Sequence, residues 1–219
     1  MNAQEVFPGV YRINGKFATK SLAPKVKVYG EDLRRVGKDE FRMWDPKRSK
    51  LGAALVKGLR NLPIKPAATV LYLGAANGTT SSHVADIVGE KGTVFAVEFS
   101  PHSMRDLLEV CEQRKNMLPI LADARMPQAY ADMVKKVDVV YADIADRDQT
   151  AALLRNAEAF GAKYVMIAVK ARCIDSTANP RQIYQQERAK IEKVAKVTDF
   201  LILDPFETDH CFIVAEMKR

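Results

Sequence analysis

Long apolar runs are missing: no stretch of eighteen or more apolar residues occurs in the 219-residue chain, so no helix long enough to cross a bilayer is expected. The opening segment MNAQEVFPGVYRINGK lacks the basic-then-apolar pattern of a secretion signal, and the expectation is a cytoplasmic protein with no membrane partner. Cysteine is scarce. Cys111, Cys173 and Cys211 are far apart and form no C-x-x-C, which excludes a zinc ribbon or a disulfide framework and leaves reduced structural residues. No metal site is expected. Internal repeats and low-complexity tracts are also absent.

What is present is enough apolar material for one core and a small appended module, 47% of residues being hydrophobic. Charge is unevenly spread. The formal net charge is +7, yet residues 1–65 hold 15 Lys and Arg against 6 Asp and Glu, so the remainder is slightly acidic. Clustered cations gain by displacing counterions from phosphates, which points the N-terminal third at a polyanion. A plain solubilising surface is the alternative.

Residues 1–65 carry short β-like runs, GVYRI, KFATKSL and KVKVYG, broken by Gly and Pro, before a helix that begins near Asp45-Pro46 and carries Lys50, Leu51, Leu55 and Leu59. We read residues 1–55 as a small β-rich module and residues 56–219 as the main domain. From Ala67 the pattern changes to continuous apolar runs, TVLYLG, TVFAVEF, MLPILAD, VDVVYAD and KYVMIAVK, of the kind expected for strands covered on both faces. Helix-like spacing over residues 79–89, 101–115 and 147–160 separates them. The repeating βα unit predicts an α/β fold with a doubly wound, mostly parallel sheet. After the polar loop ARCIDSTANP, a helix from about Arg181 to Lys196 leads into DFLILD and HCFIVAEM, two runs with no helix between them, hence an antiparallel pair at the end of the sheet.

The first strand opens into Leu73-Gly74-Ala75-Ala76-Asn77-Gly78-Thr79-Thr80. Gly74 and Gly78 remove side chains where a ligand approaches backbone, and Thr79, Thr80 and the first helical N–H groups offer donors. Ala76 and Thr79 stand where a dinucleotide fingerprint needs its second and third glycines, and no Gly-Lys-Ser/Thr follows, so pyrophosphate and P-loop binding are disfavoured. A smaller anion, such as an amino-acid carboxylate, is what remains. Glu98 ends the second run, where a carboxylate accepts both hydroxyls of an adenosine ribose, and Asp123 ends the third, placed to accept an adenine amino proton. Strand ends of a parallel sheet converge at the topological switch point, so these features should share one crevice.

For methyl transfer from a sulfonium the leaving group needs little help, and the work lies in activating a weakly acidic acceptor. Lys170, ending YVMIAVK, is suited to serve as base or cationic stabiliser, and Asp143, ending VDVVYAD, to orient it. His83 and His102 lie in helical stretches with no partner motif and are assigned nothing.

Taken in order, LYLGAANGTTSSHV, FAVEFS, DARMP, KARCIDSTA and ETDHCFIV resemble the motif series of the fibrillarin family, from about Val10 to the last run. KARCIDSTA is the most family-specific of the five. The resemblance implies a seven-stranded Rossmann-like class I methyltransferase sheet with an antiparallel C-terminal strand. It also implies S-adenosylmethionine as cofactor, contacted through Thr79, Thr80, Glu98, Phe99, Asp123, Ala124, Asp143, Ile144, Ala145 and Asp146. A catalytic set of Lys50, Asp143, Lys170 and His210 follows from the same likeness. The implied activity is RNA ribose 2′-O-methylation of rRNA and tRNA, guided by a C/D-box RNA that pairs with the target RNA. The implied assembly partners are a Nop-domain scaffold protein and a kink-turn-binding ribosomal-protein-like subunit. Two departures stand out. The Gly/Arg-rich N-terminal extension of eukaryotic members has no counterpart here, which aligns the chain with archaeal members, and the loop from Asp143 to Gln149 lacks the Gln-Pro of the eukaryotic loop, which weakens the case for Asp146. Two other readings of the same residues are a nicotinamide-dependent oxidoreductase and a non-catalytic RNA-binding subunit.

Overall fold

The computed structural model describes residues 2–218. The N-terminal part is an antiparallel sheet of β1 (Gln4–Phe7), β2 (Val10–Ile13), β3 (Lys16–Lys20), β4 (Leu33–Val36) and β5 (Asp39–Met43), in the order β1-β2-β3-β5-β4. Asn14 and Gly15, both at positive φ (48° and 80°), form the two-residue turn between β2 and β3, a conformation that Asn-Gly adopts cheaply and that matches the strand twist.

The run KVKVYG, expected as a strand, is a loop. The backbone N–H groups of Val28 and Tyr29 donate to the carboxylate of Glu31 at 2.9–3.1 Å, so they are not available for a ladder. Conversely, β1, β4 and β5 were not anticipated, because their charged side chains conceal the period-two pattern. The helix expected near Asp45-Pro46 starts later, as α1 (Lys50–Val56), where the Ser49 hydroxyl accepts from the Gly52 N–H at 3.1 Å and caps it. The expected division between residues 55 and 56 falls one residue before the end of this helix.

The second sheet contains β6 (Thr69–Leu73), β7 (Thr93–Glu98), β8 (Met117–Leu121), β9 (Val139–Ala142), β10 (Tyr164–Lys170), β11 (Ala195–Ile202) and β12 (His210–Met217), ordered β11-β12-β10-β9-β6-β7-β8. β6 to β10 pair in parallel, and β12 runs antiparallel between β10 and β11. The closing pair is antiparallel, as its sequence predicts, but β11 begins at Ala195, four residues before DFLILD, through an irregularity between Val197 and Asp199.

Both faces of this sheet are covered. Val70 and Tyr72 of β6 pack into a core that includes α1, α2 (Thr79–Val88) and α3 (Pro101–Glu112). Their neighbours Leu71 and Leu73 pack into a second core with α4 (Gln149–Ala159) and α6 (Pro180–Glu192). Every residue of β9 is buried, which explains why VDVVYAD shows no polar alternation. α5 (Ala171–Ile174) is a single turn inside the segment expected to be loop. Among the described residues no helix is long and apolar enough to cross a membrane, and the three cysteines are unpaired, Cys173 exposed and Cys211 buried.

A buried charge network joins the two sheets. Arg42 of β5, fully buried, meets Glu31 at 2.6 Å and Asp86 of α2 at 2.7 Å, and donates to the Ser82 hydroxyl at 2.9 Å. Asp86 also receives the Thr19 hydroxyl at 3.0 Å and faces Arg114 at 3.3 Å. His83 is buried beside it, stacked on Trp44 with ring centroids 4.4 Å apart and bonded through its two nitrogens to Thr19 and Tyr29. Burial, followed by the charges of Arg42 and Arg114, lowers its pKa well below the ordinary histidine value.

Replacing Arg42 by Ala leaves Asp86 and Glu31 buried without their cation and should cost about 3–5 kcal/mol in a urea melt. Burial raises the Glu31 carboxyl pKa, but Arg42 and the Tyr29 and Val28 N–H groups together outweigh it and leave the pKa below its ordinary 4.5. The sign follows: Glu31 stabilises the fold above pH 4.5 and loses that contribution as pH falls through its lower folded value. The stability gap between the wild type and Glu31→Gln should therefore close in urea melts taken from pH 6 down to 3.

Candidate active site

The order of the sheet reverses between β6 and β9, and the carboxyl ends of β6, β7, β9 and β10 open there. Gly74, just past β6, has φ +83°, and a Cβ on it would lie 2.8 Å from the Asp143 carbonyl oxygen and 2.9 Å from Ile144 Cγ2. Only glycine lets the β6 and β9 exits run this close. Gly78 likewise has φ +89° with Val110 3.0 Å from where a Cβ would be. Both glycines answer to neighbouring protein segments, a requirement separate from the ligand approach that the sequence suggests.

Asp143 is the meeting point of the charged side chains. Its Oδ1 lies 2.9 Å from Lys170 Nζ and 3.3 Å from Lys50 Nζ. These are charge contacts off the hydrogen-bonding direction, whereas Lys170 Nζ donates squarely to the Asp143 backbone carbonyl at 2.9 Å. All three side chains are largely but not wholly buried. His210 faces Lys170 across the β10–β12 ladder, and its Nδ1 donates to the Thr208 carbonyl at 2.6 Å, so in the neutral ring Nε2 is left as an acceptor.

A cleft of about 410 Å³ opens beside this group, lined by Gly74, Glu98, Phe99, Asp123, Ala124, Asp143, Ile144, Ala145, Asp146 and Lys170, with Ala76, Val97, Ala122 and Arg125 completing its walls. The volume suits a nucleoside-sized ligand. Glu98 Oε2 accepts from the Ala76 N–H at 2.7 Å and Oε1 from the Ser100 N–H at 2.8 Å. Each oxygen keeps a lone pair for a hydroxyl. Arg125 grips Asp123, with Nη2 2.6 Å from Oδ2, and these bonds hold the Asp123 carboxyl below the usual range, keeping it an ionised acceptor. Phe99 is 69% exposed at the mouth, an apolar surface that otherwise faces water.

Thr79 and Thr80 line an adjoining groove that shares Gly74, Ala76 and Asp143 with the cleft. Gly78 lines neither; it is the N-cap of α2. No side chain caps that helix, so its first N–H groups are open to an anion next to the cleft. The Thr80 hydroxyl donates to Ser49 at 2.9 Å, tying α2 to the start of α1 and so to Lys50.

Four contributors went unnoticed in the sequence. Gln149, fully buried, accepts the Lys170 N–H at 2.9 Å and donates to the carbonyls of Asp146 and Lys170 at 2.9 and 3.2 Å, locking the β10 exit to the β9–α4 loop. Glu207 lies 4.0 Å from Lys50. Arg125 spans from Asp123 to Asp146 Oδ2, 3.6 Å away. Ser49 is the fourth. Glu207 and Arg125 stand inside the quoted motifs ETDHCFIV and DARMP, Gln149 ends the loop from Asp143 that the sequence sets apart, and Ser49 directly precedes Lys50, which were the signals available.

A doubly wound sheet with one antiparallel strand inserted next to its edge, and a nucleoside-sized cleft at the switch point, defines the class I methyltransferase fold. The chain matches the Fibrillarin family over residues 1–219, and it belongs to that family. It is 47% identical over 215 residues to the fibrillarin-like rRNA/tRNA 2′-O-methyltransferase of Thermococcus onnurineus, covering 95% of each chain. Among solved structures it is similar to Aeropyrum pernix fibrillarin in complex with natively bound S-adenosyl-L-methionine (TM-score 0.88, 42% identity, 98% of each chain). It is similar also to the chain of a fibrillarin/Nop5p complex (TM-score 0.90, 41% identity, 98% of this chain and 100% of that one).

Gly74→Ala should strain the backbone by roughly 1–3 kcal/mol and push Asp143 away from the lysines. A lowered urea midpoint together with impaired ligand binding is the expected result; an unchanged midpoint would contradict the geometry.

Proposed function

We propose that this chain is an S-adenosylmethionine-dependent methyltransferase acting on the ribose 2′-hydroxyl of rRNA, and also of tRNA. The observation that carries the reading is Asp143 Oδ1 held between Lys170 and Lys50 at the lip of the cleft that contains Glu98 and Asp123. The names of the relatives and the ligand of the Aeropyrum pernix structure support it.

The donor set fits the cofactor. Glu98 has lone pairs that would take the two ribose hydroxyls, Asp123 would accept a hydrogen bond from the adenine amino group, and Phe99, Ala124, Ile144 and Ala145 would supply apolar walls, with Asp146 at the rim. The open N–H groups of α2 at Thr79 and Thr80, following the Gly74–Gly78 turn, suit the amino-acid carboxylate. When bound, S-adenosylmethionine supplies a methyl whose bond to sulfur breaks to leave a neutral thioether.

The protein's own task is the acceptor. Lys170 spends one N–H on the Asp143 carbonyl and sits against its carboxylate, which fixes the ammonium and leaves it a donor to the acceptor oxygen; as that oxygen takes the methyl, its proton passes to Asp143 Oδ1, which accepts no other hydrogen bond. Asp143 holds both lysines at one point. Lys50 and His210 hold the acceptor nucleotide, His210 through Nε2. Residues 1–55 act as a module that contributes phosphate contacts, and residues 56–219 form the methyltransferase domain.

Partners follow from the family. A Nop-domain scaffold is supported by the fibrillarin/Nop5p complex. A C/D-box guide RNA selects the target RNA by base pairing, with a kink-turn-binding ribosomal-protein-like subunit completing the particle.

The decisive measurement is transfer from labelled S-adenosylmethionine to a guide-paired RNA carrying ribose or 2′-deoxyribose at the target position. Labelling of the ribose substrate alone is expected, and equal labelling of both would sink the assignment. Lys170→Ala should abolish transfer while cofactor affinity, measured by calorimetry, stays within a few fold.

A further inference from the structure

The groove next to the cofactor cleft is larger than the cleft itself, about 1090 Å³, and runs into it at Gly74, Ala76 and Asp143. Its two walls differ in sign. One carries Lys27, Arg48 and Lys50; the other, from α3, carries Asp106, Glu109 and Glu112. Lys27 and Arg48 are exposed and pair with no carboxylate among the described residues. Arg48 is nevertheless held, its guanidinium lying 5.8 Å from the centre of the Tyr29 ring. Tyr29 in turn is fixed through its hydroxyl, which contacts His83 Nε2 at 2.8 Å and donates to the Met43 carbonyl at 3.2 Å. A cation mounted on an anchored ring loses little entropy when it takes up an anion.

We propose that this groove seats the phosphodiester backbone of the acceptor strand next to the target ribose, with Lys27 and Arg48 each neutralising one phosphate. This rests on the RNA methyltransferase reading above. Lys50 joins the groove to Asp143, so a strand lying on the basic wall delivers one sugar to the lysine pair. The acidic wall repels phosphates and confines the backbone to the opposite side, which sets the side from which the ribose enters. The groove takes one backbone only: the acceptor strand lies on the basic wall and the guide strand paired to it stays outside, because a second phosphate backbone inside would lie against Asp106, Glu109 and Glu112.

The test compares the full chain with Lys27→Glu/Arg48→Glu, Lys27→Gln/Arg48→Gln and a control of equal charge change on β4, Arg34→Glu/Arg35→Glu. The probe is a 12-nucleotide single-stranded RNA titrated across salt. The slope of log affinity against log salt should fall by about 1.4 in the glutamine variant, at about 0.7 per phosphate on a single strand, with a larger loss of affinity in the glutamate variant and a smaller change in the control. In guided transfer the KM for RNA should rise at least about tenfold with kcat within twofold, and S-adenosylhomocysteine affinity should not move, which also certifies folding. Equal salt slopes in the wild type and the glutamine variant, or an equal loss in the control, would overturn the groove assignment. If the wild type fails to label ribose RNA at all, the function reading falls instead, so the two failures are distinguishable.

Discussion

Arg42 sits at the centre of the architecture. An arginine with no solvent contact is tolerable only when carboxylates surround it, and Glu31 comes from the N-terminal sheet's side while Asp86 comes from α2 on the second sheet. Asp86 belongs to α2 and Glu31 to the loop before β4, so satisfying this one guanidinium forces the N-terminal sheet onto the face of the methyltransferase sheet that α2 covers. The pairing is directional and leaves little freedom of orientation. Everything after β5 inherits that placement: Ser49 reaches Thr80, α1 enters the shared core through Leu51, Ala53, Ala54 and Leu55, and Lys50 arrives at Asp143.

The site is thus assembled from parts that are remote in sequence but adjacent at strand ends. Asp143 and Lys170 follow β9 and β10, which pair in parallel, so their proximity is a property of the sheet. Lys50 is not on the sheet at all. Its position beside Asp143 depends on the docking of the N-terminal sheet, which is how that part of the chain reaches the strand ends. His210 is delivered by β12, whose antiparallel insertion beside β10 brings the chain back to the same edge and sets it opposite Lys170.

Much of this was legible beforehand. The βα runs mapped onto β6 to β10 because strands covered on both faces cannot alternate, and Glu98, Asp123, Asp143 and Lys170 were legible as residues closing such runs. The N-terminal sheet was legible only in part: GVYRI and KFATKSL became β2 and β3, whereas β1, β4 and β5 gave no sign. Its strands carry Arg34, Arg35 and Arg42, and a buried arginine has the same letter as a solvated one. KVKVYG has the β pattern but loses its donors to Glu31, a competition between side chain and backbone that periodicity does not register.

The sequence by itself determined the alternation of strands and helices, the acids and the lysine at the strand ends, and through five ordered motifs the family, since all of these are local patterns. Tertiary structure alone decided that a Cβ at Gly74 or Gly78 would meet neighbouring segments, that Gln149 and Ser49 brace the site, that Arg125 spans Asp123 and Asp146, and that Lys50 reaches Asp143. The physical reason is the same for each: burial and charge pairing between distant segments depend on which surfaces meet, and that is a property of the folded chain.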